Sequence, residues 1–204
     1  MQTYKNPVLY ADYSDPDVIR VGEDYYMVAS SFTYFPGVPL LHSKDLVHWE
    51  HKGIALFPSK RGDRDGCFSG SAVEQDGKLY LYYTGVSYLL EDPEDTNLCL
   101  DDQFVSAQMM ITSEDGIHFD NIKDKREIIA PIGEREMGDA AHTRDPKVWR
   151  GEDAWYMVLG THGNDGNGRL LFYRSADLEN WSYVNAVSKS GFGWMWECPD
   201  LFNV

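Results

Sequence analysis

Acidic residues open several copies of a short repeated pattern in this sequence. Residues 15–26 read DPDVIRVGEDYY, residues 145–156 read DPKVWRGEDAWY, and the final stretch, ECPDLFNV, opens a further copy. Asp15, Asp145 and Glu197 are the first acids of these copies. Carboxylates that meet in one pocket can exchange protons with a substrate or attack it. These three residues are therefore the first candidates for catalysis.

The repeat predicts an all-β propeller. A copy without the leading acid, GSAVEQDGKLYLY, spans residues 70–82, and the runs between the turns are rich in aromatic and β-branched residues. Repeats of this kind are typical of propeller blades. We expect one domain over residues 1–204, a partial catalytic propeller with about three blades and the first strand of the fourth. Residues 197–204 are expected to form that strand.

Each predicted blade consists of an inner strand, a tight hairpin turn, a second strand, a loop and then an outer strand near a Ser-x-Asp-x-x-x-Trp block. The turns contain Asp and Gly, which accept the backbone angles of tight turns. A block with Ser, Asp and a terminal aromatic residue follows the copies at 43–49, 113–119 and 175–181. We expect its Ser and Asp to cap a turn and its aromatic ring to pack between blades.

Composition and charge limit the partners of the chain. The net charge of −15 argues against nucleic acid and anionic membrane surfaces, because it supplies no basic patch to neutralise phosphates. Six Trp and thirteen Tyr suit strands and also suit stacking on sugars. No secretory signal or bilayer-length apolar run is visible, and three scattered cysteines favour a reducing compartment. The sequence predicts a cytoplasmic protein without cofactor or metal, acting on a disaccharide or oligosaccharide.

The acidic candidates fit the hydrolysis of a glycosidic bond, which takes two carboxyl groups. One protonates the leaving oxygen, and the other attacks the anomeric carbon or activates water. Asp15 and Asp145 each precede a proline, whose fixed backbone angle stiffens the start of a strand. Arg144 adds a cation with a forked donor that suits sugar hydroxyls.

Glu197 stands in the run Trp-Met-Trp-Glu-Cys-Pro. We expect Trp194 and Trp196 to line the pocket and to shield Glu197 from water, which suits an acid catalyst. We expect Cys198 to be buried beside the acid and not to act as a nucleophile, because no histidine follows in a suitable motif.

These blocks resemble glycoside hydrolase family 32, which includes invertases, levanases and sucrose-phosphate hydrolases. The matching stretches are DGCFSGSAV, HTRDPKVW and GFGWMWECPDLF, which begin at residues 65, 142 and 191. The resemblance implies a five-bladed propeller with a central pocket. It also implies a retaining enzyme that releases terminal β-fructosyl residues from sucrose, sucrose phosphate or fructans.

The resemblance also implies roles for individual residues. Glu197 would be the general acid, Asp145 would orient the sugar through its hydroxyls, and Asp15 would be the nucleophile. Phe68 and Ser69 would fall on a segment that lines the pocket. The residues expected to bind substrate are thus Arg144, Phe68, Ser69, Trp194, Trp196 and Cys198.

Other interpretations stay open at this point. The stretch ASSFTYFPGVPLLHSKDLVHW at 29–49 resembles glycoside hydrolase family 43, the inverting β-xylosidases and arabinofuranosidases. An inactive carbohydrate-binding fragment is a further alternative. His42, His142 and His162 are candidates for the pocket wall, and the absence of a His-x-x-x-His spacing favours hydrogen bonding over metal binding.

Overall fold

Runs rich in Tyr, Val and Met form strands, and tight turns separate them. The computed structural model describes residues 5–11, 13–31, 37–133 and 137–201. Within these ranges it contains twelve strands and two short 3₁₀ turns, and no helix there is long and apolar enough to cross a membrane. The chain divides into two compact units, residues 1–58 and 59–204, which are described separately.

The first unit contains one antiparallel sheet, whose four strands pair in chain order. The strands are β1 (Ser14–Val21), β2 (Asp24–Ser30), β3 (Val38–Ser43) and β4 (Trp49–Leu56).

The second unit contains two further sheets of the same design. One consists of β5 (Gly66–Gln75), β6 (Lys78–Tyr88), β7 (Phe104–Ser113) and β8 (Arg126–Ile129). The other consists of β9 (Arg144–Arg150), β10 (Trp155–His162), β11 (Gly168–Ser175) and β12 (Ser182–Ser188). Three four-stranded antiparallel sheets confirm the predicted all-β fold with about three propeller blades.

Hairpin turns join the first two strands of every sheet, as the sequence predicts. Residues 22–23 and 76–77 form two-residue turns, because Val21 pairs with Asp24 and Gln75 pairs with Lys78. The third hairpin is two residues longer, since Arg150 pairs with Trp155.

The block with Ser, Asp and an aromatic residue forms the same turn three times. In the third copy, the Ser175 hydroxyl accepts the amide of Leu178 at 2.9 Å, and Asp177 Oδ1 accepts the amides of Glu179 and Asn180. Trp181 then packs edge-on against Tyr82 of the neighbouring sheet, with ring centroids 5.8 Å apart. The predicted cap and the predicted contact between blades are both confirmed in this copy.

The two sheets of the second unit enclose a common core. Tyr82 and Met110 from one sheet pack with Met157, Leu159 and Leu171 from the other. The inner strands β5 and β9 are joined by Ser71, which donates to the Pro146 carbonyl at 2.7 Å and accepts the Val148 amide at 3.0 Å. This seam fixes how β9 lies along β5.

Every inner strand carries a bulge near its start. The pairing register shifts between Ser14 and Asp17 in β1, between Phe68 and Gly70 in β5, and opposite Val158 and Gly160 in β9. A bulge bends the strand and re-aims a side chain. The residues at these bulges are the ones that the sequence marks as candidate site residues.

The predicted strand at residues 197–204 is wrong for its described part. Residues 197–201 have no strand pairing, and residues 202–204 lie outside the described residues. Cys198 has a positive φ of 46° and precedes a proline, as Asp15 and Asp145 do at the bulges of β1 and β9, but no described strand pairs with residues 199–201. The Cys198 amide instead donates to the Asp145 carboxylate at 2.8 Å.

A buried ion pair ties the start of β5 to the loop before β8. The Asp63 carboxylate accepts hydrogen bonds from Lys125 Nζ at 2.5 Å and from the Tyr83 hydroxyl at 2.7 Å, and both charged side chains are fully buried. Burial alone would raise the pKa of Asp63, but Lys125, two backbone amides and Tyr83 outweigh it and lower the pKa. This contribution to stability is therefore present above the usual carboxyl range and is lost as the pH falls through the lowered pKa.

We expect Lys125→Met to destabilise the fold by about 3–5 kcal/mol, because it leaves the Asp63 charge buried without its partner. The measurement is the free energy of unfolding in urea. Lys123→Met is the matched control, since the Lys123–Asp120 pair lies on the surface and should contribute little. Equal losses in the two variants would contradict this account of the buried pair.

Candidate functional site

The bulge at the start of β9 places Asp145 at the seam between two sheets. Asp145 has a positive φ of 64° and only 6% of it is exposed. Its backbone amide donates to Thr84 Oγ1 on β6 at 2.9 Å. Asp tolerates the left-handed region better than most residues, which explains its compatibility with this backbone.

A buried polar network supports this bulge, and the sequence analysis missed it. The Thr84 hydroxyl donates to Gln108 Oε1 at 2.8 Å, and Gln108 Nε2 donates to the Thr143 carbonyl at 3.0 Å. Thr84, Gln108 and Thr143 are all buried. The available signal was the pair of polar residues within the apolar runs LYLYYTGV and AQMMITS. Polar residues in such runs are satisfied by specific partners, so they fix a geometry.

The segment 194–201, here called the acid segment, lies against β9 and β10. Its Cys198 amide donates to Asp145 Oδ2. The Trp196 carbonyl lies so close to Gly160 on β10 that a Cβ at that position would overlap it. Gly160 therefore permits a close approach that no other residue type allows.

Arg144 pairs with Glu197 through Nη2 and Oε1. The Arg144 side chain is 13% exposed and the Glu197 side chain is 58% exposed. Arg144 also donates to His142 Nδ1 at 3.1 Å. The guanidinium therefore holds an exposed carboxylate beside the buried carboxylate of Asp145, as expected for a site with two different acids.

Burial raises the pKa of Asp145, although the Cys198 amide and the Arg144 charge oppose the shift. Partial loss of water around the Cys198 sulfur and the nearby Asp145 charge raise the pKa of this thiol, although the residue as a whole is exposed, while a hydrogen bond with Ser69 lowers it. Ser69 on the β5 bulge, Cys198 and Asp145 thus meet in one cluster. A thiol whose pKa is raised is a poor nucleophile.

Two expectations about the acid segment are wrong. Cys198 is exposed, not buried. The two tryptophans do not cover Glu197: Trp194 packs on His142 and His162, and Trp196 donates its ring N–H to the Phe192 carbonyl at 2.7 Å. Trp194 and Trp196 contact different neighbours in this irregular segment, so neither ring covers Glu197 although both are close to it in sequence.

The structure also shifts the correspondence between the repeats by one residue. Asp15, Asp145 and Cys198 each combine a positive φ with a following proline. Cys198 is therefore the backbone counterpart of the two aspartates, and Glu197 precedes it. This offset sets Glu197 on Arg144, while the Cys198 amide reaches Asp145.

Two of the three candidate histidines, His142 and His162, lie together next to Arg144. The His142 ring lies 5.5 Å from the His162 ring and 5.5 Å from the Trp194 ring, measured between centroids. Burial lowers the pKa of His142. His42 belongs to the first unit, where it pairs with Asp24 at 2.5 Å.

The remaining predicted residues fall on both units. Phe68 is exposed on β5 next to Ser69, in the second unit. Asp15 is exposed at the β1 bulge of the first unit. The convergence of Asp15 with Asp145 and Glu197 stays a prediction.

The chain matches known proteins over most of its length. Residues 40–204 match the model of the glycosyl hydrolases family 32 N-terminal domain. A sucrose-6-phosphate hydrolase of Escherichia coli is 42% identical over 164 residues, which are 79% of this chain and 31% of that protein. A raffinose invertase of Escherichia coli is 41% identical over 78% of this chain and 31% of that protein. The chain thus spans about a third of the length of these relatives.

The fold agrees with this match. A Bombyx mori GH32 beta-fructofuranosidase superposes with a TM-score of 0.72 at 30% identity, covering 94% of this chain and 39% of that one. The family match includes the three stretches that carry Ser69, Asp145 and Glu197. From its sequence and its fold, the chain belongs to glycoside hydrolase family 32.

Proposed function

We propose that this chain carries the site of a glycosidase that releases terminal β-fructosyl residues from sucrose, sucrose phosphate or fructans. The observation that carries the proposal is the joint placement of Arg144, Asp145 and Glu197 by the β9 bulge and the acid segment. The printed names of the relatives, sucrose-6-phosphate hydrolase and raffinose invertase, support this substrate class. The reaction is retaining and uses two carboxyl groups.

Glu197 is the general acid in this proposal. Its side chain is accessible, and Arg144 engages Oε1, which leaves Oε2 for a glycosidic oxygen. A carboxyl group that protonates the leaving oxygen must reach it directly. The pairing with Arg144 restricts the rotamers of Glu197 and thus orients that oxygen.

Asp145 binds the sugar ring. Its Oδ2 accepts the Cys198 amide, which leaves Oδ1 for sugar hydroxyl groups. Hydrogen bonds from hydroxyl groups to a buried carboxylate are strong, because little water competes there. Ser69 and Arg144 add neutral and cationic hydrogen-bonding groups around the same ring.

Asp15 is the nucleophile. In a retaining enzyme the two carboxyl groups lie about 5–5.5 Å apart, so that one attacks the anomeric carbon while the other protonates the leaving group. The exposed position of Asp15 at the β1 bulge fits a group that must reach a substrate.

The first test is Glu197→Gln in this protein. We expect kcat for sucrose to fall by about 10²–10⁴, because the leaving oxygen loses its proton donor. A fructoside with a nitrophenolate leaving group needs less protonation and should lose less. Rates are measured by release of fructose and of nitrophenolate.

Glu179→Gln is the matched control, because Glu179 also pairs with an arginine, Arg126, at 2.7 Å. It should leave both rates unchanged. If Glu197→Gln lowers kcat equally for sucrose and for the nitrophenyl fructoside, Glu197 is not the general acid. Wild-type protein that binds sucrose without cleaving any fructoside or xyloside would favour a binding module over an enzyme.

A second test concerns the nucleophile and the stereochemistry. Asp15→Asn should lose at least as much activity as Glu197→Gln, since Asn tolerates the positive φ of 48° but cannot attack. Asp17→Asn is the control on the same strand and should stay active. The first product detected by NMR should keep the β configuration; an inverted product would support the family 43 mechanism.

A third test concerns Gly160 as a positioning residue. Gly160→Ala should push the Trp196 carbonyl away from β10 and displace Glu197, so kcat should fall more than KM changes. Gly133→Ala is the control, because open space surrounds that position. Unchanged kcat in a folded Gly160→Ala protein would show that the acid segment does not depend on this contact.

A further inference from the structure

Three possible metal ligands lie together next to Arg144, which contacts one of them, His142. Asp139, His142 and His162 each offer one ligand atom, and these atoms lie within 4.8 Å of one another. All three residues are half-buried. In a tetrahedral zinc site with bonds of about 2.0–2.1 Å, neighbouring ligand atoms are about 3.3 Å apart. Small side-chain rotations would therefore bring these atoms to metal-binding distance.

Asp139 is held with one oxygen available. Its Oδ1 accepts the amides of Ala141 and His142, both at 2.9 Å, which fixes the carboxylate in a turn. Its Oδ2 points to His162 Nε2 at 3.8 Å. This separation is too long for a hydrogen bond, but it leaves room for an ion that both atoms contact.

His162 is oriented as metal-binding histidines usually are. Its Nδ1 lies 3.2 Å from the Gly163 carbonyl, and a carbonyl can only accept, so Nδ1 carries the proton. The lone pair is then on Nε2, the atom that faces Asp139. A backbone carbonyl that fixes the tautomer in this way is a common outer partner of metal ligands.

We propose that Asp139, His142 and His162 form a binding site for a divalent transition-metal ion, with Zn²⁺ as the best match to the donor set. Two imidazoles and one carboxylate suit zinc, and an open fourth position suits water. The site takes none of the proposed catalytic residues as a ligand, but its His142 also accepts a hydrogen bond from Arg144. It departs from the sequence-based expectation that these histidines only form hydrogen bonds.

His142 connects the ion to Arg144. Its Nδ1 accepts the Arg144 N–H at 3.1 Å, so a neutral His142 carries its proton on Nε2. An ion at Nδ1 would compete with Arg144 directly. An ion at Nε2 would require the proton to leave that atom or move to Nδ1, and a protonated Nδ1 cannot accept from Arg144. An ion at Nδ1, or an ion at Nε2 that moves the proton to Nδ1, would therefore weaken the hydrogen bond between Arg144 and His142.

The test is a calorimetric titration of the 204-residue chain with ZnCl₂, with Asp139→Asn as the main variant. The Asn side-chain oxygen can still accept the two turn amides, but its amide nitrogen cannot replace Oδ2 as a ligand. We expect one zinc per chain in the wild type and affinity at least about tenfold weaker in Asp139→Asn. His162→Gln should weaken binding as strongly.

The exposed pair Asp115–His118 supplies matched controls. Asp115 forms the same kind of turn, accepting two amides through Oδ1, and its Oδ2 contacts His118 at 2.5 Å. Asp115→Asn and His118→Gln should leave zinc affinity unchanged. Thermal melting by circular dichroism checks that every variant is folded.

Three results would overturn the proposal. One is an absence of saturable zinc binding up to about 1 mM. A dissociation constant above that concentration would be too weak for a site with three preformed ligands. The second is one-to-one binding that survives both Asp139→Asn and His162→Gln in folded protein, which would place the ion at the thiols or at other carboxylates. The third is a loss of binding in the exposed-pair variants alone, which would show that zinc binds the surface pair instead.

Discussion

The hydrogen bond from the Cys198 amide to the Asp145 carboxylate is the contact on which the candidate site depends. It joins the acid segment, which has no strand pairing of its own, to the inner strand β9. A hydrogen bond between a backbone N–H and a buried carboxylate is charge-assisted and directional. Because Cys198 is held in this way, Glu197 is directed to Arg144. One bond therefore sets the relation between both acids.

That contact needs Asp145 itself to be fixed, and the backbone at the β9 bulge does this. The bulge turns the Asp145 amide toward Thr84 instead of toward the strand ladder. Thr84 is fixed in turn by Gln108, whose amide group reaches the Thr143 carbonyl. The buried network thus replaces the ladder bonds that the bulge removes. A polar interior is stable here because its members satisfy one another.

The sheet formed by β5, β6, β7 and β8 is the scaffold for the site. Its inner strand carries Ser69 and Ser71, which contact Cys198 and β9. Its second strand carries Thr84. The buried Asp63–Lys125 pair joins the turn before β5 to the loop between β7 and β8. A rigid support is what a site with two carboxyl groups requires, since small displacements of the reacting groups are costly.

Much of the fold was predictable from local patterns. Hairpin turns with Asp and Gly, and the Ser-Asp turn with its aromatic residue, are encoded within a few neighbouring residues. These short-range preferences recur in each copy, so the repeat indicated about three blades, and the structure shows that each is a four-stranded sheet. The residue types of Asp145, Arg144 and Glu197 likewise marked the candidate site, and the motif stretches indicated the family.

Other features depended on contacts between residues far apart in the sequence. The proline that follows both Asp145 and Cys198 is visible in the sequence, but only the positive φ angles and a bond across 53 residues establish that Cys198, not Glu197, is the backbone counterpart of Asp145. The solvent exposure of Glu197 and the packing of Trp194 on two histidines were also set by tertiary contacts. The sequence by itself determined which groups could do chemistry and which strands would form. Only the tertiary structure decided which atoms meet, because hydrogen-bond partners and burial come from segments that the sequence does not place side by side.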